Sequence, residues 1–587
     1  MKHSIYFACV ILLTFSTIQM KAQVADKCNL SIHVKKNFLL LPVQENKSEA
    51  TFTIVYPDGK ESPKYWIRLA ENSIDYWVKL DVGKQKGKTI SLDFEKVKEK
   101  EFGLKHLKQS NQFPLNFFEK YRPLYHFTPQ YGWMNDPNGM VYSNGEYHLF
   151  YQYNPFGCVW GNMSWGHAVS KNLVDWTYLP VALSPDSLGA VFSGSAVIDR
   201  QNTAGFGKDA MIAVYTSAGE VQTQSIAYST DNGRTFSKYS ENPVIKNPGI
   251  VDFRDPKVFW YAPTSQWILS LATKQSITFY GSKNLKDWTR LSEFGEGLGC
   301  HDGVWECPDL FYLPIDGENK GAWVLIVNIN PGAPNGGSGT QYFIGNFDGK
   351  TFTADQLPYP LWVDYGKDNY AGVTWNNIPE SDGRRIFLGW MNNWEYANQT
   401  PTKYFRSSNT VPRELKLKNN GQHLVLANYP VAEILSIFKK SSQKEAIEVS
   451  REYLLTNLLK NNDGTYKIEM TIERKNAEKF GFSLQNARNE ELNFTFNTGT
   501  KTLLIDRNKS GNTNFSTKFV GISTAPLAAK ESYAITLLID KSSAELFVDG
   551  GALAMTTLFF PTEPMNGLKF FSSDNMIVKN MNIAKKE

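Results

Sequence analysis

The chain has 587 residues, more than one ordinary domain holds, so two or three domains are expected. Hydrophobic residues make up 42% of it, a share that argues against large-scale disorder. The 62 basic and 58 acidic residues give a net charge of +4 and are interspersed along the chain. No basic arm or patch therefore indicates a nucleic-acid partner.

Residues 1–22 have the features of a secretory signal. Lys2 supplies the positive start, and Ile5–Phe15 is an apolar run too short to span a bilayer. Ala22 is a small residue before the expected cut, although the A-x-A pattern is imperfect and an uncleaved amphipathic start is the alternative. No later stretch is long and apolar enough for a transmembrane helix. We therefore expect an exported protein, periplasmic or extracellular, without a spanning segment.

Four cysteines remain after the signal: Cys28, Cys158, Cys300 and Cys307. In a chain of this size they do not make a disulfide framework, and their spacing fits no zinc pattern, so no structural metal is expected. Neither Cys9 nor Cys28 follows a convincing small-residue lipoprotein signal, so a lipid anchor is not favoured. The sequence does not predict whether the thiols are paired.

Residues 23–115 form the first predicted domain, a small β-sandwich. Short runs such as 51–56 and 65–69 alternate apolar and polar residues, and the turn residues 57–59 lie between them. This period of two is typical of strands. A helical stretch near 94–108 is predicted to lead into the next domain.

Residues 121–425 form the second predicted domain, in which short strands are separated by Gly, Asn, Asp and Pro. A hairpin turn followed by an aromatic residue recurs in units of about 50 residues, which indicates the blades of a β-propeller. The region is long enough for about five blades. Unrelated hairpin turns in a sandwich are the alternative. The copies of this turn are Ser170–Trp176, Ser229–Phe236, Ser282–Trp288 and Phe347–Phe352.

Residues 432–587 form the third predicted domain, a second β-sandwich. The runs 533–540 and 544–551 are strand-like and predict a hairpin pair. Nothing in this domain has the surroundings of a catalytic group. The predicted fold class is therefore all-β, with a small N-terminal β domain, a propeller and a C-terminal sandwich.

Two aspartates of the middle domain lie in unusually rigid segments. Asp136 belongs to the segment WMNDPNG (133–139), where Pro137 fixes the chain directly after the carboxylate. Asp255 is also followed by proline, and Arg254 beside it could hold a carboxylate ionised or clamp a pair of hydroxyls. Each has a plain structural alternative, which is an Asx-turn in a loop for Asp136 and an ion pair at a strand end for Asp255.

Glu306 lies between Trp305 and Cys307, which solvate charge poorly. Such surroundings raise the pKa of a carboxyl group and suit a general acid, although a Glu that caps a loop is the alternative. Glycosidic cleavage needs one carboxyl group that attacks the anomeric carbon and one that protonates the leaving oxygen. Its oxocarbenium-like transition state gains from a further fixed negative charge. The spacing of the three residues does not say whether the reaction would be retaining or inverting.

The three acidic segments, in this order, closely resemble the motifs of glycoside hydrolase family 32, the invertases, inulinases and levanases. The resemblance covers roughly residue 121 to the C terminus, and its strength lies in several collinear motifs rather than in any one. The further matching segments are Tyr151–Pro155, Trp160-Gly161, Trp165–Ala168, Phe192–Gly194, Asp364–Gly366 and Ser542–Phe547.

This resemblance implies a five-bladed β-propeller with a C-terminal β-sandwich, and neither cofactor nor metal. Asp136 would be the nucleophile of a retaining reaction and form a covalent fructosyl-enzyme. Glu306 would act as the acid and then as the base that activates water. Asp255, with Arg254, would hold the fructosyl hydroxyls and stabilise the transition state. The pocket for the terminal fructose would be lined by Trp133, Asn135, Gln152, Trp160, Phe192, Ser193 and Asp364, and closed by Trp390 or Trp394.

The segment YGKDNYA (365–371) resembles the exo-acting inulinases and levanases more than the plant invertases. We therefore predict release of terminal β-D-fructose from fructans, inulin or levan, with sucrose as a secondary substrate. Endo-action stays open, and so does fructosyl transfer, because water and a sugar hydroxyl compete for the same intermediate. The N-terminal domain lies outside the family pattern, and we expect it to brace the propeller rather than to bind carbohydrate. The oligomeric state is not predicted.

Two other functions rival this prediction. A non-catalytic sugar-binding protein on the same scaffold would be free to lose one of the three acidic residues, and all three are present. A related five-bladed propeller glycosidase acting on arabinosides or xylosides would also use three carboxylates. The 133–139 motif and the pair Glu306-Cys307 argue against that second rival.

Overall fold

The computed structural model describes residues 26–98, 101–115, 117–456 and 463–586, so the predicted signal segment 1–22 lies outside the described residues. Within these ranges no helix is both long and apolar enough to cross a membrane. The described chain is almost entirely β-structure. Its short helices are α1 (Phe102–Lys105), α2 (Ala432–Ser436) and three 3-10 turns at Gly83–Gln85, Ala262–Thr264 and Ala397–Gln399.

The N-terminal region is a sandwich of two antiparallel sheets. The sheet orders are β1-β6-β3-β4 and β5-β2-β7. Of the helix predicted near 94–108, the described residues show only α1, and residues 99–100 lie outside them. Phe94 instead belongs to a strand that runs to Glu95, in which Ile90, Leu92 and Phe94 all face the core with a period of two. The strands are β1 (Lys27–His33), β2 (Phe38–Val43), β3 (Ala50–Val55), β4 (Tyr65–Ile67), β5 (Tyr76–Asp81), β6 (Thr89–Glu95) and β7 (Lys108–Ser110).

The middle region contains twenty-three strands. They are β8 (Gly132–Ser143), β9 (Glu146–Asn154), β10 (Ser164–Ser170), β11 (Trp176–Leu183), β12 (Ala190–Asp199), β13 (Ala210–Ala218), β14 (Gln222–Ser229), β15 (Ser237–Lys238), β16 (Phe253–Tyr261), β17 (Gln266–Thr273), β18 (Ser276–Ser282), β19 (Thr289–Phe294), β20 (Val304–Pro314), β21 (Gly321–Asn330), β22 (Gly339–Phe347), β23 (Phe352–Ala354), β24 (Leu361–Trp362), β25 (Tyr370–Thr374), β26 (Arg385–Met391), β27 (Phe405–Arg406), β28 (Ser408–Asn409), β29 (Arg413–Asn419) and β30 (Leu424–Pro430).

These strands form five separate sheets, the blades of a propeller. Blades 1 to 4 are β8–β11, β12–β15, β16–β19 and β20–β23, and blade 5 is β25-β26-β29-β30. The short strand β27 adds to β8 in parallel, and β24 and β28 extend blades 4 and 5. The first strands β8, β12, β16, β20 and β25 contact one another around a closed ring, so they line the centre of the propeller. The predicted five-bladed propeller is confirmed.

The recurring turn identified from the sequence occupies one position in four successive blades. Each copy joins the third strand of a blade to its fourth, from β10 to β11, β14 to β15, β18 to β19 and β22 to β23. In blades 1 and 3 the turn is closed alike, because Asn172 and Asn284 each accept two backbone N–H groups through the side-chain oxygen. The repeated turn is therefore a property of the blade, and the alternative of unrelated turns is wrong.

The C-terminal region is a sandwich of two six-stranded sheets. Their orders are β31-β42-β33-β38-β39-β40 and β32-β41-β34-β35-β36-β37, and the predicted hairpin pair corresponds to β38 and β39. The strands are β31 (Phe438–Val449), β32 (Glu452–Leu455), β33 (Tyr466–Glu473), β34 (Lys479–Gln485), β35 (Glu491–Asn497), β36 (Thr502–Lys509), β37 (Ile522–Pro526), β38 (Ser532–Asp540), β39 (Ser543–Val548), β40 (Leu553–Leu558), β41 (Gly567–Ser572) and β42 (Met576–Lys586).

The N-terminal sandwich packs directly on blade 1. The ring of Phe156, which follows β9, lies 5.2 Å from the ring of Phe52 and 4.9 Å from that of Tyr65, measured between centroids. Phe52 and Phe156 belong to one hydrophobic cluster that runs from the N-terminal sheets into the propeller, and Tyr65 packs against it. Such shared apolar burial favours the folded arrangement of both regions together.

The C-terminal sandwich is held to the propeller by buried charges of alternating sign. His126 lies between two carboxylates, 2.8 Å from Asp540 and 2.7 Å from Glu545. Arg413 pairs with Glu545 and, at 2.8 Å, with Asp364. Because each buried charge has an opposite charge beside it, the desolvation cost of the group is offset within the network.

Candidate active site

The three predicted catalytic residues come from the innermost strands of three different blades. Asp136 lies on β8, Asp255 on β16 and Glu306 on β20. At each of them the pairing with the neighbouring strand is interrupted by a shift of register. A β-bulge of this kind redirects side chains out of the alternating pattern and is common beside active sites.

The other two inner strands are interrupted at the same level. In β12 the shift falls between Phe192 and Gly194, and in β25 it falls between Tyr370 and Val373. All five blades therefore break their regular pairing near the same end of the propeller. The side chains presented there are Asp136, Ser193, Asp255, Glu306 and Tyr370.

The backbone repeats one unusual conformation in blades 3, 4 and 5. Asp255, Cys307 and Ala371 have positive φ angles of 64°, 44° and 52°. Residues with a β-carbon rarely adopt this left-handed region, and such strain is concentrated at functional sites.

Both oxygens of the Asp136 carboxylate are held by hydrogen bonds. Asn135 Nδ2 donates to Oδ1 at 2.8 Å, and Ser193 Oγ donates to Oδ2 at 2.7 Å. Asn135 is oriented in turn by the indole N–H of Trp133, which donates to its side-chain oxygen at 2.8 Å. Burial raises the pKa of Asp136, the negative charge of Glu306 raises it further, and the two hydrogen bonds oppose that rise. The Asp136 carboxylate is therefore held in one orientation by hydrogen bonds to both of its oxygens.

The carboxylate of Glu306 pairs with groups from blades 3 and 5. Arg254 donates to Oε1 through Nε at 3.0 Å and through a terminal nitrogen at 2.9 Å, and the Tyr370 hydroxyl donates to Oε2. The expectation that Trp305 lies against this carboxyl group is wrong. Neighbouring residues of a strand face opposite sides, and the buried Trp305 indole donates to the carbonyl of Cys300 at 2.8 Å inside the blade.

Asp255 and Asp136 lie on either side of the Cys307 sulfur. Cys307 Sγ is 3.6 Å from Asp136 Oδ2 and 3.6 Å from Asp255 Oδ2, and its backbone N–H donates to the same Asp255 oxygen at 3.0 Å. Burial raises the pKa of Asp255, the Arg254 charge opposes this, and the Glu306 and Asp136 charges add to it, giving about 7. Burial also raises the pKa of the Cys307 thiol, which therefore stays neutral and can donate.

Three tryptophans form one aromatic cluster beside Asn135. The centroid of the Trp394 ring lies 5.8 Å from that of Trp133 and 4.8 Å from that of Trp390. Trp133 and Trp390 are fully buried, whereas Trp394 is partly exposed. Of the two candidates for closing the pocket, Trp394 is the ring with surface available to a ligand.

Three more predicted pocket residues lie on blades 1 and 2. Gln152 is buried on β9 and donates to the carbonyl of Val191 at 3.1 Å. Trp160 has 45% of its surface exposed, and its ring lies 6.1 Å from that of Phe192, the residue before Ser193. The structure therefore groups Phe192 and Trp160 next to the residue that holds Asp136.

Asp364 is not brought to this pocket. Its carboxylate has no exposed surface, and it accepts hydrogen bonds from Arg413 at 2.8 Å and from Thr556 Oγ1 of the C-terminal sandwich at 2.6 Å. The prediction that Asp364 lines the pocket is therefore replaced by a role at the junction of the two regions. A side chain committed to these buried partners cannot also meet a sugar.

Sequence reasoning missed Tyr370 as a site residue. It stands in the segment 365–371, whose resemblance to exo-acting enzymes does not single out any one residue. A usable signal existed, because Tyr370 precedes Ala371 on the inner strand of blade 5 as Glu306 precedes Cys307 on that of blade 4. Aligning the inner strands of the blades would have shown this equivalence.

The described residues show no metal-binding cluster, and the three carboxylates do not line the cavity of about 700 Å³. Within the described ranges, no group of three or more His, Cys, Asp or Glu residues is arranged to hold a metal ion. A cavity of about 700 Å³ lies among the C-terminal ends of β12, β16 and β20 and is lined by none of the three carboxylates. The carboxylates lie toward the N-terminal ends of their strands, so we place the site there despite the size of the other cavity.

Three family models match the chain, and their boundaries agree with the three regions that the sheets define. The model of the glycosyl hydrolases family 32 N-terminal domain matches residues 126–428, and that of the glycosyl hydrolases family 32 C terminal matches residues 433–585. Residues 25–125 match a domain of unknown function (DUF4980). The resemblance inferred from the motifs is confirmed over both matched regions.

Curated relatives and solved structures agree with these matches. A levanase of Bacillus subtilis (strain 168) is 47% identical over 477 residues, covering 79% of this chain and 70% of the relative. An extracellular exo-inulinase of Aspergillus awamori is 39% identical over 494 residues, covering 77% and 91%. The crystal structure of exo-inulinase from Aspergillus awamori superposes with a TM-score of 0.75 at 36% identity, over 80% of this chain and 99% of that one.

A fructofuranosidase from Schwanniomyces occidentalis complexed with fructose superposes with a TM-score of 0.72 at 32% identity, over 80% of this chain and all of that one. With two family models that match most of the described chain, and relatives well above 30% identity, the chain belongs to glycosyl hydrolases family 32.

Proposed function

We propose that the protein is a retaining exo-acting glycosidase that releases terminal β-D-fructose from fructans, inulin or levan, and also hydrolyses sucrose. The observation that carries this proposal is the convergence of Asp136, Asp255 and Glu306 from three blades. The names of the relatives support the substrate class, since they include a levanase and an extracellular exo-inulinase.

In the first step Asp136 attacks the anomeric carbon of the terminal fructosyl residue. The bond from that carbon to the glycosidic oxygen breaks, and protonated Glu306 transfers its proton to the departing oxygen. Arg254 then pairs with the carboxylate that remains, because it already holds Glu306 Oε1 through two nitrogens. The product of this step is a fructosyl ester of Asp136.

In the second step water replaces Asp136 on the anomeric carbon. Glu306 accepts a proton from the water as it attacks, the ester bond breaks, and both carboxyl groups return to their starting states. Two displacements at one carbon retain its configuration. A sugar hydroxyl in place of water would give fructosyl transfer by the same route.

Asp255 is proposed to bind fructosyl hydroxyls and to stabilise the positive charge that develops on the ring. It is buried and held by the Cys307 backbone, so it requires no reorganisation when charge appears. Trp394 is proposed to cover the sugar, with Asn135, Gln152 and Ser193 forming the polar wall. The two buried tryptophans Trp133 and Trp390 support that wall from behind.

Chromatography of the products from inulin, levan and sucrose tests the proposal. Wild-type protein should release fructose without intermediate oligosaccharides, while Asp136→Asn should lose activity by several orders of magnitude with an unchanged melting temperature. A ladder of oligosaccharides would replace exo-action with endo-action. No fructose from any of the three substrates would refute the proposed function.

We also propose that the protein is exported. The curated relatives include enzymes named as extracellular, and residues 1–22 have the pattern of a signal peptide. N-terminal sequencing of the mature protein tests this, with Gln23 expected as the first residue. A mature chain that begins at Met1 would contradict it.

A further inference from the structure

A cavity of about 420 Å³ lies at the junction of the N-terminal sandwich and the propeller. Its size falls in the range of small-molecule binding sites. One wall belongs to the N-terminal domain and the other to blades 1 and 2. The lining residues that matter here are Glu45, Glu49, Trp66 and Arg68 on the first wall, and Trp160 and Phe192 on the second.

We propose that this cavity binds the fructan units that follow the terminal one, so that the N-terminal domain supplies a distal subsite for the polymer. The inference rests on the proposed function and goes beyond it, because it gives substrate-binding residues to a domain of unknown function. It replaces the expectation that this domain braces the propeller rather than binding carbohydrate. Residues such as Trp66 would then set the preference for long over short substrates, while the chemistry at the carboxylates would not depend on them.

One wall of the cavity is next in the chain to a residue of the catalytic site. Phe192 lines its propeller wall, and the next residue, Ser193, donates the 2.7 Å hydrogen bond to Asp136. The Trp160 ring packs edge-on to Phe192, with 6.1 Å between centroids. The inference is that a fructan whose end lies at the carboxylates passes along this wall.

The wall from the N-terminal domain is fixed to the propeller. The Trp66 backbone N–H donates to Asn162 Oδ1 at 2.8 Å, and its carbonyl accepts from Asn162 Nδ2 at 2.9 Å. Both hydrogen bonds use the backbone of Trp66, so its side chain takes no part in them, and 47% of the residue is exposed. Trp66 and Trp160 thus present two exposed rings to one cavity from two domains, and such rings bury apolar faces of a ligand while staying rigid.

Polar groups of mixed charge lie beside Trp66. Arg68 donates to the carbonyl of Glu45 at 2.9 Å, and its terminal nitrogens lie 3.4 Å from the Glu45 carboxylate and 3.6 Å from that of Glu49. All three side chains are partly exposed, so they retain donors and acceptors for a ligand. One cation against two carboxylates disfavours an anionic ligand, whereas the hydroxyls of a neutral saccharide can pair with both signs.

The kinetic test compares Trp66→Ala with a matched control, Tyr453→Ala. Tyr453 is an exposed aromatic residue on β32, outside the cavity. We expect Trp66→Ala to lower kcat/KM on inulin or levan about two- to tenfold relative to kcat/KM on sucrose, the loss of one aromatic contact. Trp66→Phe should restore most of this ratio, and Tyr453→Ala should leave it at the wild-type value. Equal losses on polymer and sucrose would assign Trp66 a bracing role and overturn the proposal.

A second test measures binding alone, in a variant that does not turn the substrate over. In an Asp136→Asn background, titration with fructan oligosaccharides of increasing length should show affinity that rises with length, and Trp66→Ala or Glu49→Gln should abolish that rise. Affinity independent of length, or a rise that both variants keep, would overturn the distal subsite. A wild-type protein that hydrolyses sucrose but no fructan would refute the proposed fructanase function itself, which is a different outcome seen before any variant is compared.

Discussion

Replacing Ser193 by alanine tests how the protein keeps its proposed nucleophile ionised. The Ser193 hydroxyl donates to Asp136 Oδ2 at 2.7 Å and lowers the pKa of that carboxyl group, against burial and the Glu306 charge, which raise it. A hydrogen bond to a charged group contributes about 1.5–3 kcal/mol. Ser193→Ala should therefore destabilise the ionised form of Asp136 by about this amount, which raises the pKa of the carboxyl group.

The nucleophile must be ionised to attack, so activity is lost as the pH falls through its pKa. Raising that pKa moves the acid limb of the profile to higher pH. The assay is kcat/KM for sucrose as a function of pH, which reports ionisations of the free enzyme. Ser217→Ala is the control, because it removes a buried hydroxyl that pairs with Ser225 and touches no carboxylate. An acid limb that stays in place in Ser193→Ala, with both variants folded, would refute the reasoning.

Two further predictions concern the acid and the junction with the C-terminal sandwich. Glu306→Gln should cost less activity on a fructosyl donor with a good leaving group than on fructan, because protonation matters less there; equal losses on both would argue against the acid role. His126→Gln leaves Asp540 and Glu545 buried without their shared cation, so calorimetry should show about 3–5 kcal/mol less stability near neutral pH.

The stability difference between wild type and His126→Gln should also depend on pH, and the sign of this dependence follows from the pKa of His126. Burial lowers the pKa of His126, but hydrogen bonds to Asp540 and Glu545 outweigh it and raise that pKa from 6.5 to about 9. The stabilisation is therefore complete below the unfolded value and lost as the pH rises through about 9. The difference in unfolding free energy between wild type and His126→Gln should shrink between pH 7 and pH 10, and a constant difference would contradict the charged state of His126.

The propeller could be predicted because one local turn recurs in four blades, and a local turn depends on residues close in sequence. The acidic residues could be found because proline follows two of them directly. The spacing along the chain could not predict that they meet in space, since Asp136 and Glu306 are separated by 170 positions in the sequence. The directions of these side chains are set by bulges on the inner strands. Such bulges depend on pairing with neighbouring strands, which the sequence does not show.

The residues that were misplaced or missed depend on packing that no local pattern records. Asp364 stands in a segment that resembles the family, yet its carboxylate faces Arg413 and the C-terminal sandwich. Trp305 is adjacent to Glu306 in sequence but faces the opposite side of the strand. The role proposed for Trp66 depends on the junction between the N-terminal sandwich and the propeller. Each of these depends on which face of a strand meets which neighbour.

The identity of the nucleophile is tested most directly by trapping the fructosyl-enzyme. In Glu306→Gln, a fructosyl donor with an activated leaving group should still react with the nucleophile, while hydrolysis is slowed because the base is missing. Mass spectrometry of the protein should then show one added fructosyl residue, and peptide mapping should locate it on Asp136. An adduct on another residue, or continued fructose release with no adduct at any time, would contradict the mechanism.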